Sequence, residues 1–154
     1  KMTPAHYQGI TDASIPSVAL PDGAGRVRVI AGEFDGNKGP AETYTPMNVW
    51  DLRLSAGKPV DLAQPEGWST LVVVLDGTVL LNGDTVLRAA DMATLSSAGS
   101  GVTIEANGDA KVLLLAGEPI DEPVVGYGPF VMNSQQEIAE AISDFNSGKF
   151  GRMG

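Results

Sequence analysis

The stretch TLVVVLDGTVLLNGDTVL, residues 70–87, decides the class of fold. Its apolar and β-branched residues form two short runs, Leu71–Leu75 and Thr78–Leu81, whose length and composition are typical of strands. Asn82 and Gly83 follow the second run, and this dipeptide is the strongest short signal for a tight hairpin because both residues tolerate a positive φ. The stretch therefore predicts antiparallel strands joined by tight turns.

Downstream, a second Asn-Gly pair predicts another hairpin of the same kind. Asn107 and Gly108 would join a strand at Val102–Ala106 to one at Lys111–Leu115. Short strands at regular spacing with tight turns indicate an antiparallel sandwich or small barrel.

Upstream, the segment Asn48–Leu54 alternates between apolar and polar residues, which predicts a half-buried strand with Trp50, Leu52 and Leu54 on its buried face. A shorter strand is predicted at Val27–Ile30. Residues 1–25 are rich in Pro, Gly and small polar residues, so we interpret them as an arm or linker.

The C-terminal part contains the only segment with a helical period. Asn133 or Ser134 is placed to cap a first turn, and Gln136 or Glu137 stands where a capping box requires it. Gly148 supplies a left-handed stop after the last turn. The predicted organisation is thus an arm at 1–25, a β-barrel at 26–132, and a helix with its tail at 133–151.

One face of this helix is apolar, and the other carries polar and acidic residues. An apolar stripe of this kind is expected to pack against another surface, and the residues that we assign to this packing role are Ile138, Ala141, Ile142 and Phe145.

Composition excludes several classes of function. The chain has 154 residues, a net charge of −9, one His and no Cys. Without a cluster of Lys and Arg, direct binding to nucleic acid is not expected. The apolar runs are too short to span a bilayer, so no membrane partner and a cytoplasmic location are expected. The absence of Cys excludes thiolate metal ligands and a Cys nucleophile.

Individual polar residues do not converge on an active site. His6 stands in the Pro-rich arm, which favours a surface or docking role over a catalytic one. Asp121 and Glu122 are adjacent, so in an extended segment they would point apart. A calcium loop is conceivable at Glu33, Asp35 and Asn37, but its glycine is out of position, and a solvated acidic turn is preferred.

Two glycine-containing motifs do not indicate a site. Gly99-Ser100-Gly101 lacks the spacing of a nucleophile elbow and is interpreted as a plain loop. The glycines of Asp22–Arg26 follow no strand and open no helix, so they are a weak candidate for a phosphate-binding loop. No catalytic and no metal-binding residue is assigned.

Two longer segments resemble the C-terminal half of the pirin family. These are VRVIAGEFDGNKGPAETYTPMNVWDLRL and LLLAGEPIDEPVVGYGPFVMNSQQEIAEAISDFNSGKFG, and the opening KMTPAHYQ is similar to the segment that links the two halves in that family. The resemblance covers nearly the whole chain. It implies a cupin-type β-barrel (a double-stranded β-helix) with one C-terminal α-helix, mainly β and antiparallel.

The resemblance also implies where chemistry lies. Pirins are bicupins whose mononuclear site, three His and a Glu holding iron or another divalent metal, belongs to the N-terminal cupin. That site is linked to quercetin 2,3-dioxygenase-like activity on a flavonoid-type small molecule or, in eukaryotes, to a transcription-cofactor role. None of those ligands can be carried onto this sequence, which has VDLAQPEGWSTLVVVLDG and MATLSSAGSGVTI where a functional cupin would offer them.

Two hypotheses follow. The chain is expected to be a metal-free C-terminal cupin with no cofactor of its own, partnered by an N-terminal cupin half that this sequence does not include, or by a second copy. The alternative is a barrel that binds a small molecule or a protein without catalysis.

Overall fold

The computed structural model describes residues 6–151, and the chain divides into two compact units. One unit spans Gln8–Pro119. The other combines Lys1–Tyr7 with Ile120–Gly154, of which the structure describes 6–7 and 120–151. We call them the sandwich unit and the C-terminal unit, and describe each by itself.

The sandwich unit consists of two larger antiparallel sheets and a small hairpin. Its strands are β1 (Ser17–Ala19), β2 (Gly25–Ala31), β3 (Glu33–Phe34), β4 (Asn37–Lys38), β5 (Met47–Leu54), β6 (Pro59–Ala63), β7 (Ser69–Asp76), β8 (Thr78–Leu81), β9 (Thr85–Arg88), β10 (Met92–Thr94), β11 (Gly101–Ala106) and β12 (Ala110–Gly117). The six-stranded sheet has the order β1-β2-β5-β12-β7-β10, and the four-stranded sheet β6-β11-β8-β9. β3 pairs with β4 as a separate hairpin.

A single hydrophobic core fills the space between the two sheets. Alternate residues of each strand point into it, and those with the most deeply buried large side chains include Leu52, Leu62, Val72, Ile104 and Leu114. Each such side chain contributes roughly 1.5–3 kcal/mol by leaving water, so this core is the main source of stability for the sandwich.

The predicted mainly antiparallel β architecture with one C-terminal helix is confirmed. The burial of Trp50, Leu52 and Leu54 on one face of β5 is also as predicted. In the described residues, however, the strand ladders form separate sheets rather than one closed barrel. The strand at 71–75 alternates as well, so Val72 and Val74 are buried in the core whereas Leu75 is exposed.

The two Asn-Gly pairs behave differently. Asn82 and Gly83 adopt φ values of 50° and 78° and join β8 to β9 in the predicted hairpin. The prediction at Asn107 and Gly108 is wrong, because β11 pairs with β6 and β8 whereas β12 pairs with β5 and β7. Neither Asn107 nor Gly108 has a positive φ. This turn therefore carries the chain from one sheet to the other.

The predicted arm at 1–25 differs from the structure over its described part. β1 pairs with β2 at the edge of the six-stranded sheet, and Leu20 and Ala24 belong to the core. Nearer its start, the side chain of Gln8 donates to the carbonyl of Pro40 at 2.7 Å and accepts from the backbone N–H of Glu42 at 2.9 Å. Residues 1–5 of the arm lie outside the described residues. The segment from Gln8 onward is thus part of the sandwich unit.

The C-terminal unit contains a small hairpin and the helix. Its elements are β13 (Val125–Tyr127), β14 (Phe130–Met132) and α1 (Gln135–Asn146). The boundary between compact units falls after Pro119, earlier than the predicted one at 132, because β13 and β14 pair with each other and α1 packs on them. In the part of the chain that the structure describes, no helix is long and apolar enough to cross a membrane.

The ends of α1 follow the sequence signals. Ser134 is the N-cap, and its Oγ accepts from the backbone N–H of Glu137 at 3.2 Å, while the Glu137 carboxylate accepts from the N–H of Ser134 at 3.0 Å. Gly148 has a φ of 75° just after the last turn. Of the two predicted caps, the structure thus selects Ser134 with Glu137 as its partner.

Replacing Ser134 with Ala should fray the start of α1, because the N–H of Glu137 loses its acceptor. The expected cost is about 1 kcal/mol, visible as faster hydrogen exchange of the amides in the first turn. Ser143→Ala, an exposed position further along the helix, is the matched control. Equal exchange in the two variants would contradict this role for Ser134.

Candidate functional site

The predicted packing stripe of α1 is buried only in part. Ile138 and Ala141 are buried, Ile142 is half-buried, and Phe145 is 62% exposed. The first two residues therefore already have partners within the chain. The C-terminal end of the stripe, at Phe145, remains open to a further contact.

Phe145 belongs to a cluster of three rings that we call the aromatic surface, formed by Phe130, Phe145 and Phe150. Each pair of ring centroids is 6.2 Å apart, with Phe130 and Phe150 stacked and Phe130 and Phe145 edge to face. Phe150 is also exposed, at 60%. Rings at this spacing attract one another, so the cluster presents a preformed apolar surface.

Other large apolar side chains of the C-terminal unit are exposed too, namely Ile120, Val124, Tyr127 and Val131. A concentration of exposed apolar residues in so short a segment is unusual for a free surface and is typical of a surface that another protein covers. The sequence did not single out these four residues, because an apolar residue in an extended segment does not show by itself whether it will be buried.

Of the candidate chemical residues, none that the structure describes is brought into a catalytic arrangement. His6 is exposed, as are Asp121 and Glu122, and the Glu122 carboxylate accepts from Asn133 Nδ2 at 3.1 Å. Ser100 lies in an exposed loop, where its carbonyl accepts from the N–H of Gln64 at 2.9 Å. These positions are consistent with the surface roles expected for them.

The acidic turn at residues 33–37 is the β3–β4 hairpin. Asp35 and Gly36 have φ values of 47° and 74°, and Asn37 Nδ2 donates to the carbonyl of Asp35 at 2.9 Å. This hydrogen bond closes the turn within the hairpin. Glu33 and Asp35 are exposed to solvent.

The resemblance to pirins implies that a metal-binding cupin would place ligands in the segment 59–77, and the buried polar groups of that segment are neutral. The buried polar residues of the segment 59–77 are Gln64 and Thr70. Gln64 Oε1 accepts from Asn48 Nδ2 at 2.9 Å. Neutral amide and hydroxyl oxygens are poor ligands for the transition metals that imidazole and carboxylate hold. Across residues 6–151, no group of three or more His, Cys, Asp or Glu side chains is arranged to hold a metal ion.

Sequence reasoning missed one charged group on the face of β5 opposite the core. Asp51 is only 5% exposed, and its Oδ2 accepts from Arg28 Nη1 at 2.6 Å and from Arg53 Nη2 at 2.7 Å. Arg28 also pairs with Asp12. Asp51 Oδ1 is buried without a partner. The alternation of β5 indicated a solvent-facing Asp51, but no local signal pairs it with Arg28 on another strand.

The two-sheet antiparallel sandwich defines the class of protein as a mainly antiparallel β domain. Comparison with known proteins specifies the family. Residues 49–151 match the pirin C-terminal cupin domain family, and this match covers more than half of the chain. The chain therefore belongs to that family.

Individual relatives agree with this assignment. A crystal structure of quercetin 2,3-dioxygenase from Acinetobacter baumannii is 49% identical, with a TM-score of 0.91, over 100% of this chain and 54% of that one. A Pseudomonas aeruginosa protein whose name proposes quercetin 2,3-dioxygenase activity is 50% identical over 99% of this chain and 53% of its own length. Pirin of Rattus norvegicus is 37% identical over 100% of this chain and 54% of its own. The chain thus spans about half the length of the relatives that it matches.

Proposed function

We propose that this chain is the metal-free C-terminal cupin of a pirin-type, two-cupin protein whose oxidative chemistry belongs to the N-terminal cupin. The observation that carries the proposal is that the buried polar side chains of the segment 59–77 are the neutral Gln64 and Thr70, in a segment where the resemblance to pirins implies that a metal cupin would offer imidazoles and a carboxylate. The match to only about half of each relative supports a second cupin in the same protein.

The proposed activity of the whole protein is dioxygen-dependent cleavage of a flavonol, as the names of the bacterial relatives suggest. Iron, or another divalent metal, would be held by the N-terminal cupin. The side chains of this chain do not fit such an ion, so we assign no step of the reaction to them. Their role is to fold a rigid domain and to cover a face of the catalytic half.

Metal analysis tests this division of roles. The protein purified from its own cells is expected to be a two-cupin polypeptide by intact mass, with metal and quercetin-cleaving activity. The 154-residue chain alone, incubated with Fe²⁺ or Ni²⁺ and desalted, is expected to retain no stoichiometric metal, because the core between its two sheets consists of apolar side chains and offers no imidazole or carboxylate ligands. One metal ion per isolated chain in elemental analysis would refute the proposal.

The aromatic surface and the open end of the α1 stripe are the proposed contact with the second cupin. Aromatic residues, Phe included, are enriched at protein interfaces, and a few well-packed side chains contribute most of the binding energy. A second copy of this chain would offer the same surface and is the expected substitute when the N-terminal half is absent.

Phe145→Asp is expected to weaken association, with the N-terminal half or with a second copy, by about thirtyfold, the effect of losing a contact worth roughly 2 kcal/mol. Because Phe145 is exposed within this chain, the variant should keep its fold, whereas Ile142→Asp at a half-buried position should weaken both folding and assembly. Size-exclusion chromatography with light scattering measures association. Ser143→Asp, on the polar side of α1, is the control.

The packing role is contradicted if the parent chain is a monomer at every concentration and does not bind the N-terminal half. It is also contradicted if Phe145→Asp associates as tightly as the parent. One observation favours the alternative function, a binding module without catalysis: the sandwich unit contains a cleft of about 930 Å³.

A further inference from the structure

A cleft of about 930 Å³ opens on one side of the sandwich unit. It lies beside β1 and β6, which are edge strands of the two sheets and are not paired with each other. Strands β1, β5 and β6, the β3–β4 hairpin and the turn at Pro21–Asp22 all contribute to its lining. A volume of this size is typical of sites for small molecules.

The inner wall of the cleft is apolar and aromatic. Trp50 and Phe34 both line it, with their ring centroids 5.0 Å apart and their planes at 76°. Leu20 and Val60, which are otherwise buried in the core, contribute aliphatic surface. The wall therefore offers aromatic rings and apolar surface to a ligand.

The rim of the same cleft is strongly acidic. The exposed acidic residues Asp22, Glu33 and Asp35 line it, whereas the carboxylate of Asp61 accepts from Thr103 Oγ1 at 2.6 Å. The one ammonium group among the lining residues is that of Lys58. Lys58 Nζ donates to the backbone carbonyl of Asp22, which keeps this charge at one end of the cleft. The local excess of negative charge adds to that of a chain with a net charge of −9.

A buried donor without a partner lies at the same place. The indole Nε1 of Trp50 is buried and has no hydrogen-bond acceptor. A buried polar group left unpaired costs roughly 1–3 kcal/mol. A water molecule that enters with the ligand, or an oxygen atom carried by the apolar body of the ligand, would supply the acceptor.

We propose that this cleft binds a small organic cation that consists of an apolar or aromatic body and a protonated or quaternary amine. The apolar wall accommodates the body, and the ring of Phe34 contributes aromatic surface to it. The rim carboxylates of Asp22, Glu33 and Asp35 attract the positive charge and repel anions. The cleft shares no residue with the aromatic surface, and no metal takes part in the proposed binding.

Two probes with the same ring and opposite charge test the proposal. These are (1-naphthylmethyl)trimethylammonium and naphthalene-1-acetate, each titrated into the 154-residue chain by calorimetry and by NMR of the indole N–H groups. The chain has two tryptophans, so Trp68, outside the cleft, reports non-specific effects, and Trp68→Phe assigns the two signals. The cation should bind at least about tenfold more tightly than the anion at low salt, and less so at high salt.

Paired substitutions locate the binding. Glu33→Gln with Asp35→Asn removes two rim charges, and should reduce the preference for the cation to less than about threefold. Both residues are exposed, so folding should be unaffected. Glu66→Gln with Asp84→Asn removes two exposed charges outside the cleft and should leave the preference within about twofold of the parent. Only the cation should shift the Trp50 indole signal.

Each of three outcomes would overturn the proposal: no saturable binding of the cation, equal affinity for the two probes, or a preference that the rim variant does not reduce. A shift confined to the Trp68 signal would place any binding elsewhere. Because no metal and no second cupin enter the experiment, its failure would not bear on the proposed function.

Discussion

Gly25→Ala is expected to lower the free energy of unfolding by about 3 kcal/mol or more. Gly25 has a φ of 124°, a conformation that side chains rarely adopt. It also lies opposite Leu54 in the pairing of β2 with β5. A Cβ atom here would overlap the carbonyl oxygen of Arg53 and lie 2.9 Å from Leu54 Cα.

Gly36→Ala is the matched control, because it separates the two causes. Gly36 also has a positive φ, of 74°, but an added Cβ would meet no atom within 4 Å. Gly36→Ala should lower the free energy of unfolding by only about 1 kcal/mol, which is the cost of placing a side chain at a positive φ. Urea unfolding followed by the fluorescence of buried Trp50 measures both variants. Equal losses in the two would show that crowding against β5 is unimportant.

Asp51→Asn is expected to destabilise the protein by roughly 2–4 kcal/mol. The carboxylate accepts from Arg28 and Arg53 in a nearly buried position, and removing one member of a buried pair leaves the other charges uncompensated, at a cost of about 3–5 kcal/mol when burial is complete. The lower range is expected because the side chain of Arg53 is 33% exposed and can turn toward water.

A surface ion pair provides the control for Asp51. Lys111 and Asp76 are 3.2 Å apart, with side chains that are 50% and 65% exposed. Asp76→Asn should change stability by no more than about 1 kcal/mol. Asp51→Leu separates the loss of charge from the loss of hydrogen bonding, since it removes the acceptor oxygens as well as the charge. If Asp51→Asn were as mild as Asp76→Asn, the buried cluster would contribute little to stability.

Local signals predicted the elements that depend on neighbours in the chain. The capping box of α1, the hairpin at Asn82 and Gly83, and the buried face of β5 all follow from residues a few positions apart. The hairpin predicted at Asn107 and Gly108 was wrong because that prediction also used only neighbouring residues. A dipeptide that permits a positive φ does not require it, and pairing with strands of two different sheets decided the turn.

The candidate sites depended on contacts over longer distances along the chain. Asp51 meets Arg28 only because β2 pairs with β5 in a particular register. Likewise, the cleft gathers residues from Ala19 to Ala63 that belong to separate strands and turns. No periodic pattern in the sequence indicates the acidic rim of the cleft or the unpaired indole N–H of Trp50.

By itself, the sequence determined the β class, the helix with its caps, and the poverty of metal ligands, since one His and no Cys are matters of composition. Tertiary structure alone decided which apolar residues stay exposed near Phe145, how Asp51 is paired, and where a cleft forms. The physical reason is that propensities and turn preferences act over a few residues. Burial and charge pairing depend on strand order and register, which bring distant parts of the chain together.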